Sequence, residues 1–147
     1  MSACIQNHQK IHNISDYIMR ILHTMLRVNN LKESIDFYKN IFNMKVLRQK
    51  DYPDGKFSLA FMGYGDEKSD TVIELTYNWD TDNYNHGDAF GHIAIEVDDV
   101  YNACEDIKSK GGKVIRDAGP MMGTKLLLAF VEDPSGYKIE LIQKGTF

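Results

Sequence analysis

The chain repeats itself, and this internal repeat constrains the fold more than any other feature of the sequence. Shifting the sequence by 69 residues places His23–Phe37 on His92–Asp106, with a histidine on a histidine. Two further segments recur in the second half: Leu-Ala-Phe at 59–61 and 128–130, and Ile-Glu-Leu at 73–75 and 139–141. Two copies of one unit, about 19–78 and about 90–144, therefore form one domain.

Each copy predicts a strand, a helix and three more strands. Alternating apolar residues predict the strands Arg20–Val28, Lys45–Gln49, Phe57–Gly63 and Thr71–Asn78 in the first copy, and His92–Val97, Lys113–Asp117, Lys125–Glu132 and Tyr137–Gln143 in the second. The helices follow the capping pairs Asn29-Asn30 and Asp98-Asp99. Their apolar stripes are Leu31, Ile35, Tyr38 and Phe42, and Val100, Cys104 and Ile107. The sequence thus predicts an α+β fold of two tandem βαβββ modules.

The composition excludes several classes of protein. With 43% hydrophobic and 26% charged residues, the chain is neither disordered nor of low complexity. Its net charge of −4 disfavours nucleic-acid binding, and no apolar run approaches the roughly 18 residues of a membrane helix. Cys4 and Cys104 form no CxxC pair or disulfide framework, and Cys104 is expected to be a core thiol. We expect a reduced, cytoplasmic protein.

Residues 1–18 predict a mobile or loosely docked N-terminal extension ahead of the single domain 19–147. They lack sustained periodicity. His8 and His12 are four residues apart, the spacing of two metal ligands on a helix, but no third ligand or helical pattern accompanies them. The extension is therefore interpreted as a tail rather than as a metal site.

Each copy places one histidine and one glutamate at equivalent positions of otherwise apolar strands: His23 and Glu74, then His92 and Glu140. A lone histidine or glutamate in a strand is more often structural, but the recurrence of both at matching sites favours a metal centre. Two imidazoles and two carboxylates suit nickel, cobalt, zinc or iron. On an octahedral ion they leave two positions open for water or a chelating substrate.

Six segments resemble the glyoxalase I (lactoylglutathione lyase) family, short bacterial form, of the vicinal oxygen chelate superfamily: HTMLRV (23–28), SIDFY (34–38), LAFMGYG (59–65), VIELTYNW (72–79), FGHIAIEVDD (90–99) and AFVEDPSGYKIELI (129–142). The resemblance covers residues 19–144, and VIELTYNW is specific to this enzyme family. It assigns the metal ligands to the same four residues that the repeat identifies, and the glutathione contacts to Arg27 and Asn78.

The resemblance also implies the reaction. The family isomerises the hemithioacetal of methylglyoxal and glutathione to S-lactoylglutathione by proton abstraction through an enediolate. It implies Glu140 as the principal base, Glu74 as its near-symmetric catalytic partner, and one divalent metal per site. Nickel is our first choice, with zinc or cobalt as alternatives. The family's site lies between the subunits of a homodimer, which we favour here, although pairing of the two modules within one chain stays open.

The sequence departs from the family at one position that concerns substrate binding. The longer, zinc-using members carry a basic residue just before the FGH segment, where it binds a glutathione carboxylate. Here that segment contains Asp88. Arg116 or Lys125 is the alternative candidate for the carboxylate, and a thiol other than glutathione stays open.

Other functions of the same superfamily fit the sequence less well. The fourth metal ligand disfavours an extradiol dioxygenase. Arg27, Asn78 and VIELTYNW disfavour an acyl-CoA epimerase. A metal-free drug-binding protein of this fold would lack ligands at the four positions, so failure to bind any divalent ion would revive that alternative.

Overall fold

The computed structural model describes residues 19–147, and the N-terminal extension with Cys4, His8 and His12 lies outside that range. The elements follow the predicted order βαβββ twice: β1 (His23–Arg27), α1 (Leu31–Phe42), β2 (Lys45–Tyr52), β3 (Phe57–Gly63), β4 (Val72–Asn78), β5 (Ile93–Val97), α2 (Val100–Ser109), β6 (Lys113–Pro120), β7 (Leu127–Glu132) and β8 (Lys138–Gln143). The predicted α+β fold of two tandem modules is confirmed.

Each module forms its own four-stranded sheet, and the two sheets have the same topology. The strand orders are β1-β4-β3-β2 and β5-β8-β7-β6. The first strand of each module pairs in parallel with the last, and the other pairs are antiparallel. In each sheet, the first strand therefore lies at an edge, beside the strand that carries the Ile-Glu-Leu segment.

The first strand begins later than the alternation predicts, at His23 instead of Arg20. The Arg20 guanidinium donates to the backbone carbonyls of Glu67, Lys68 and Asp70 at 2.7–3.0 Å. A side chain therefore ties the segment before β1 to the loop between β3 and β4, an interaction that hydrophobic alternation does not report. The strands β2 and β6 are longer than predicted and end at Tyr52 and Pro120.

The helices begin at the predicted capping residues and bury the predicted stripes. The Asn30 side chain accepts a hydrogen bond from the backbone N–H of Glu33, and Asp99 accepts from two backbone N–H groups of α2. All predicted stripe residues except the half-buried Ile35 are buried. Burial raises the pKa of the Cys104 thiol, as expected of a core cysteine. No helix within residues 19–147 has the length and apolar character needed to cross a membrane.

A buried polar network joins the two modules. The hydroxyl of Tyr38 on α1 donates to Oδ2 of Asp133, in the turn between β7 and β8, at 3.0 Å. The other oxygen of Asp133 accepts from the backbone N–H groups of Ser135 and Tyr137. Burial and the neighbouring Asp133 raise the pKa of Tyr38 well above its ordinary value, so its hydroxyl stays protonated and donates.

Two further contacts reach back from this turn to the end of β1. The Ser135 hydroxyl accepts from the backbone N–H of Asn29 at 3.1 Å, and the Tyr137 hydroxyl donates to the carbonyl of Arg27 at 3.0 Å. The core is continuous across the two modules, because buried residues of both belong to one cluster. The turn therefore fixes the position of the first module relative to the second.

Replacing Tyr38 by Phe is expected to lower the free energy of unfolding by about 1–3 kcal/mol, because Asp133 would lose a donor in a buried site. Chemical denaturation of both proteins measures the difference. The matched control is Tyr101→Phe, which removes the hydroxyl of an exposed tyrosine on α2. Equal stability of the two variants would contradict the role assigned to the network.

Candidate metal centre

The first predicted pair meets at the edge of the first sheet. His23 begins β1 and is in register with Val72 of the parallel strand β4, two residues before Glu74. Because side chains alternate along a strand, His23 and Glu74 share a face. The imidazole Nε2 lies 3.0 Å from Oε2 of Glu74. Phe61, directly opposite Glu74 on β3, packs edge-to-face against the imidazole with 5.6 Å between ring centroids.

The second pair repeats this geometry. His92 precedes β5, and its Nε2 lies 2.9 Å from Oε2 of Glu140 on the parallel strand β8. Phe130 lies opposite Glu140 and packs against His92 with 5.4 Å between ring centroids. The repeat in the sequence is thus a repeat of the site, down to the aromatic neighbour of each histidine.

Both pairs are accessible to a ligand on the imidazole side. The histidine side chains are 37% and 42% exposed, whereas the glutamate side chains are 15% and 12% exposed. Neighbouring ligand atoms at about 2.1 Å from an octahedral ion lie about 3.0 Å apart. The distance within each pair therefore fits two adjacent ligands of one transition metal, and the mixed nitrogen and oxygen donors fit nickel, cobalt or zinc.

The two pairs do not meet within the chain. Among residues 19–147, no three His, Cys, Asp or Glu side chains come close enough together to hold a metal ion. Each module therefore carries half of the predicted four-ligand set: His23 with Glu74, and His92 with Glu140. The single-chain pairing that the sequence leaves open is not the arrangement of the described residues.

One difference between the two half-sites involves a residue that the sequence analysis does not single out. Oε1 of Glu74 accepts a hydrogen bond from the Thr76 hydroxyl at 3.0 Å. The equivalent residue of the second module, two positions after Glu140, is Ile142, which has no donor. Strand alternation alone could have indicated this contact, because residues two positions apart on a strand, here Thr76 and Glu74, lie on the same face.

A cation distinguishes the first half-site as well. The Arg48 guanidinium lies over the Phe61 ring at 3.3 Å and donates to both carboxylate oxygens of Glu67. This hydrogen-bonded guanidinium lowers the pKa of the Glu67 carboxyl. Arg116 is the counterpart of Arg48, because each arginine is in register with the phenylalanine of its own sheet.

Arg116 also bears on the prediction for carboxylate binding. Its guanidinium donates to the backbone carbonyls of Leu128 and Pro120 at 3.1 and 3.0 Å. These hydrogen bonds use donors that a substrate carboxylate would need. The geometry therefore disfavours Arg116 as the basic residue that binds the glutathione carboxylate. Lys125 is exposed and stays the predicted candidate for the carboxylate, whereas Asp88, also exposed, is the acid in the place of the family's base.

The two predicted glutathione contacts lie at the far end of β1 and β4. Arg27 is exposed and lines a cavity of about 210 Å³ together with Met25, Tyr84, His86, Phe90 and Tyr137. The Asn78 side-chain amide donates to the Tyr84 hydroxyl at 3.0 Å. Tyr84 thus connects Asn78 with the cavity that Arg27 lines, which brings both predicted residues to one region. Tyr84, Asn85 and His86 of this cavity lie in the segment between the modules, and their role was not predicted.

Comparison with known proteins agrees with the fold. The model of the Glyoxalase/Bleomycin resistance protein/Dioxygenase superfamily matches residues 20–141. A lactoylglutathione lyase of Neisseria meningitidis is 64% identical over 126 residues, which are 86% of this chain and 91% of that protein.

Solved structures agree as well. The trypanothione-dependent glyoxalase I of Leishmania major superposes with a TM-score of 0.78 at 46% identity, over 88% of this chain and 89% of that one. Glyoxalase I of Zea mays superposes with a TM-score of 0.82 at 49% identity. The match covers 85% of this chain but only 44% of the maize chain, so the present chain spans under half the length of that relative. The chain belongs to the Glyoxalase/Bleomycin resistance protein/Dioxygenase superfamily and, within it, to the glyoxalase I family.

Proposed function

We propose that this protein is a metal-dependent lactoylglutathione lyase, which isomerises the hemithioacetal of methylglyoxal and glutathione to S-lactoylglutathione and so detoxifies methylglyoxal. The observation that carries the proposal is the His–Glu pair that recurs in both modules, at 3.0 and 2.9 Å. Identity of 64% to a lactoylglutathione lyase over nearly the whole of that protein supports the reaction and its substrate. A cytoplasmic location is part of the proposal; within residues 19–147, Cys104 is buried and forms no disulfide.

The complete centre would form in a homodimer. His23 and Glu74 of one copy would join His92 and Glu140 of a second copy around one divalent ion. Two protein donors per half-site are fewer than the three or four that zinc sites in proteins provide. The strands that carry or adjoin the two histidines, β1 and β5, are sheet edges, and edges are suited to association with another chain. Exposed Met25 and Phe90, which line one cavity with Arg27, add apolar surface.

The reaction has to remove a weakly acidic proton from the substrate carbon that carries the sulfur, next to a carbonyl. A bound divalent ion supplies a Lewis acid that stabilises negative charge on the two neighbouring substrate oxygens. The chain itself has to move the proton. Glu140, one of the four proposed ligands, would loosen from the ion, take the proton from the sulfur-bearing carbon and return it to the adjacent carbon, while Glu74 and the histidines would hold the metal.

Arg27 and Asn78 would bind the glutathione part of the substrate. Glutathione carries two carboxylates, and an exposed guanidinium at the mouth of a cavity binds a carboxylate well. Asn78 lies on β4 four residues after Glu74 and two after Thr76. A substrate bound at Glu74 therefore reaches Asn78 if it extends along the strand. Both contacts lie along the sheet from the metal ligands, which suits an extended tripeptide.

Removing and replacing the metal tests the function and the choice of metal together. Protein stripped with a chelator is expected to form no thioester from methylglyoxal and glutathione. Nickel is expected to restore thioester formation more effectively than zinc, as followed by thioester absorbance. Restoration by zinc in preference to nickel would contradict the choice of nickel, and no activity with nickel, cobalt or zinc would contradict the function itself.

Replacing Glu140 by Gln is expected to reduce kcat by about 100-fold or more, since a general base contributes at least that factor. Metal content, measured by atomic emission, should fall much less than kcat, because the amide oxygen keeps a ligand atom. The control is Glu105→Gln on the exposed face of α2, where the carboxylate pairs with Lys108. A Glu140→Gln variant that keeps most of its turnover would refute the assignment of the base.

A further inference from the structure

The two half-sites of one chain offer an internal comparison between two glutamates in equivalent positions. Glu74 and Glu140 each contact a histidine through Oε2, at 3.0 and 2.9 Å. Only Glu74 also receives a hydroxyl hydrogen bond at Oε1, from Thr76 at 3.0 Å. The residue in the place of Thr76 in the second module is Ile142. Both oxygens of Glu74 are therefore held by the protein, whereas Ile142 leaves Oε1 of Glu140 without that donor.

The hydrogen bond to Glu74 is well placed to restrain it. Thr76 is 8% exposed and lies in the interior strand β4 between Arg27 of β1 and Leu59 of β3. A β-branched side chain in a strand has restricted χ1 freedom, so its hydroxyl keeps a fixed direction. A hydrogen bond to a carboxylate in a site with little water is stronger than one at the surface.

The arginines near the two glutamates also differ in their contacts. Arg48, Phe61 and Glu74 lie side by side across the first sheet, and the Arg48 guanidinium covers the Phe61 ring. In the second sheet Arg116 and Phe130 occupy the matching positions beside Glu140. There the guanidinium is turned to the backbone carbonyls of Leu128 and Pro120. In the first sheet the arginine therefore lies over the phenylalanine and pairs with Glu67, whereas in the second sheet it donates to backbone carbonyls.

We propose that Thr76 is a positioning residue that holds Glu74 as a fixed ligand and thereby leaves proton transfer to Glu140. The division of roles between two glutamates in equivalent positions then comes from a single hydroxyl that one module has and the other lacks. This inference rests on the proposed function, since it assumes that both glutamates serve one metal centre.

Replacing Thr76 by Val removes the hydroxyl and keeps the shape of the side chain. Zinc affinity, measured by competition with a chromophoric chelator, is expected to fall roughly tenfold, the lower end of the effect of residues that orient a ligand. Thr76→Ser keeps the hydroxyl without the β-branch and is expected to retain most of the wild-type affinity. The matched control is Thr24→Val, which removes an exposed hydroxyl from the opposite face of β1.

A second experiment measures kcat at saturating metal to separate the roles of the two glutamates. In the Glu140→Gln background, Thr76→Val is expected to raise the residual kcat roughly five- to tenfold, because Glu74 becomes free to accept the proton. The reciprocal change Ile142→Thr, which gives Glu140 the missing donor, is expected to lower kcat roughly tenfold with little change in KM.

The outcomes separate this inference from the proposed function. If the wild type binds zinc and forms thioester but Thr76→Val matches Thr24→Val in affinity, and the double variant is no faster than Glu140→Gln, the inference is overturned. Loss of affinity in Thr76→Ser equal to that in Thr76→Val would also overturn it, since the hydroxyl would then be irrelevant. A wild type that neither binds metal nor turns over would overturn the proposed function and this inference with it.

Discussion

The candidate centre is built on the contact between an imidazole at the sheet edge and a carboxylate on the adjacent parallel strand. A parallel pair needs a crossover, and in each module a helix and two strands form that crossover between the histidine and the glutamate. The βαβββ order is thus what brings two residues 51 positions apart in the first module, His23 and Glu74, to 3.0 Å. Because each module supplies only two donors, the proposed chemistry requires that two modules face each other.

The junction between the modules adds a second constraint. Tyr38 and Asp133 hold the two modules of one chain in a fixed relation through a buried hydrogen bond, and Tyr137 reaches from the same turn to the backbone of Arg27. A half-site on one module and a half-site on the other therefore point in set directions. In a homodimer this geometry would form two equivalent centres, because the twofold operation that completes one centre also completes the second.

Much of the fold was predictable because the repeat and the strand alternation report directly on side-chain burial. The order of the elements, both capping residues and nearly all of the two helical stripes are as predicted. The later start of β1 was not predictable, since it depends on hydrogen bonds from Arg20 to backbone carbonyls about 50 residues away. The same limit applies to Tyr38 and Asp133, which are 95 residues apart and form their contact only in the folded chain.

The candidate site was predictable in its main members and less so in its surroundings. The repeat identified two His–Glu pairs, and the structure brings each pair together; their role as metal ligands stays a prediction. Thr76 and Phe61 lay within the quoted motifs, but the sequence alone did not distinguish a hydroxyl that holds a carboxylate from an ordinary strand threonine. That distinction needed the comparison of Thr76 with Ile142 in three dimensions. For Arg116, the sequence suggested a carboxylate-binding role, and only the structure reveals that its guanidinium donates to backbone carbonyls.

Mixing two inactive variants tests whether one centre is built from a half-site of each of two chains. His23→Ala and His92→Ala chains with different affinity tags are co-expressed, and the mixed dimer is isolated through both tags. In that dimer one centre carries both substitutions and the other carries neither. With a shared centre, each variant alone is expected to be inactive, and the mixed dimer is expected to have about half of the wild-type turnover per dimer. A mixed dimer as inactive as its parents would contradict the shared centre.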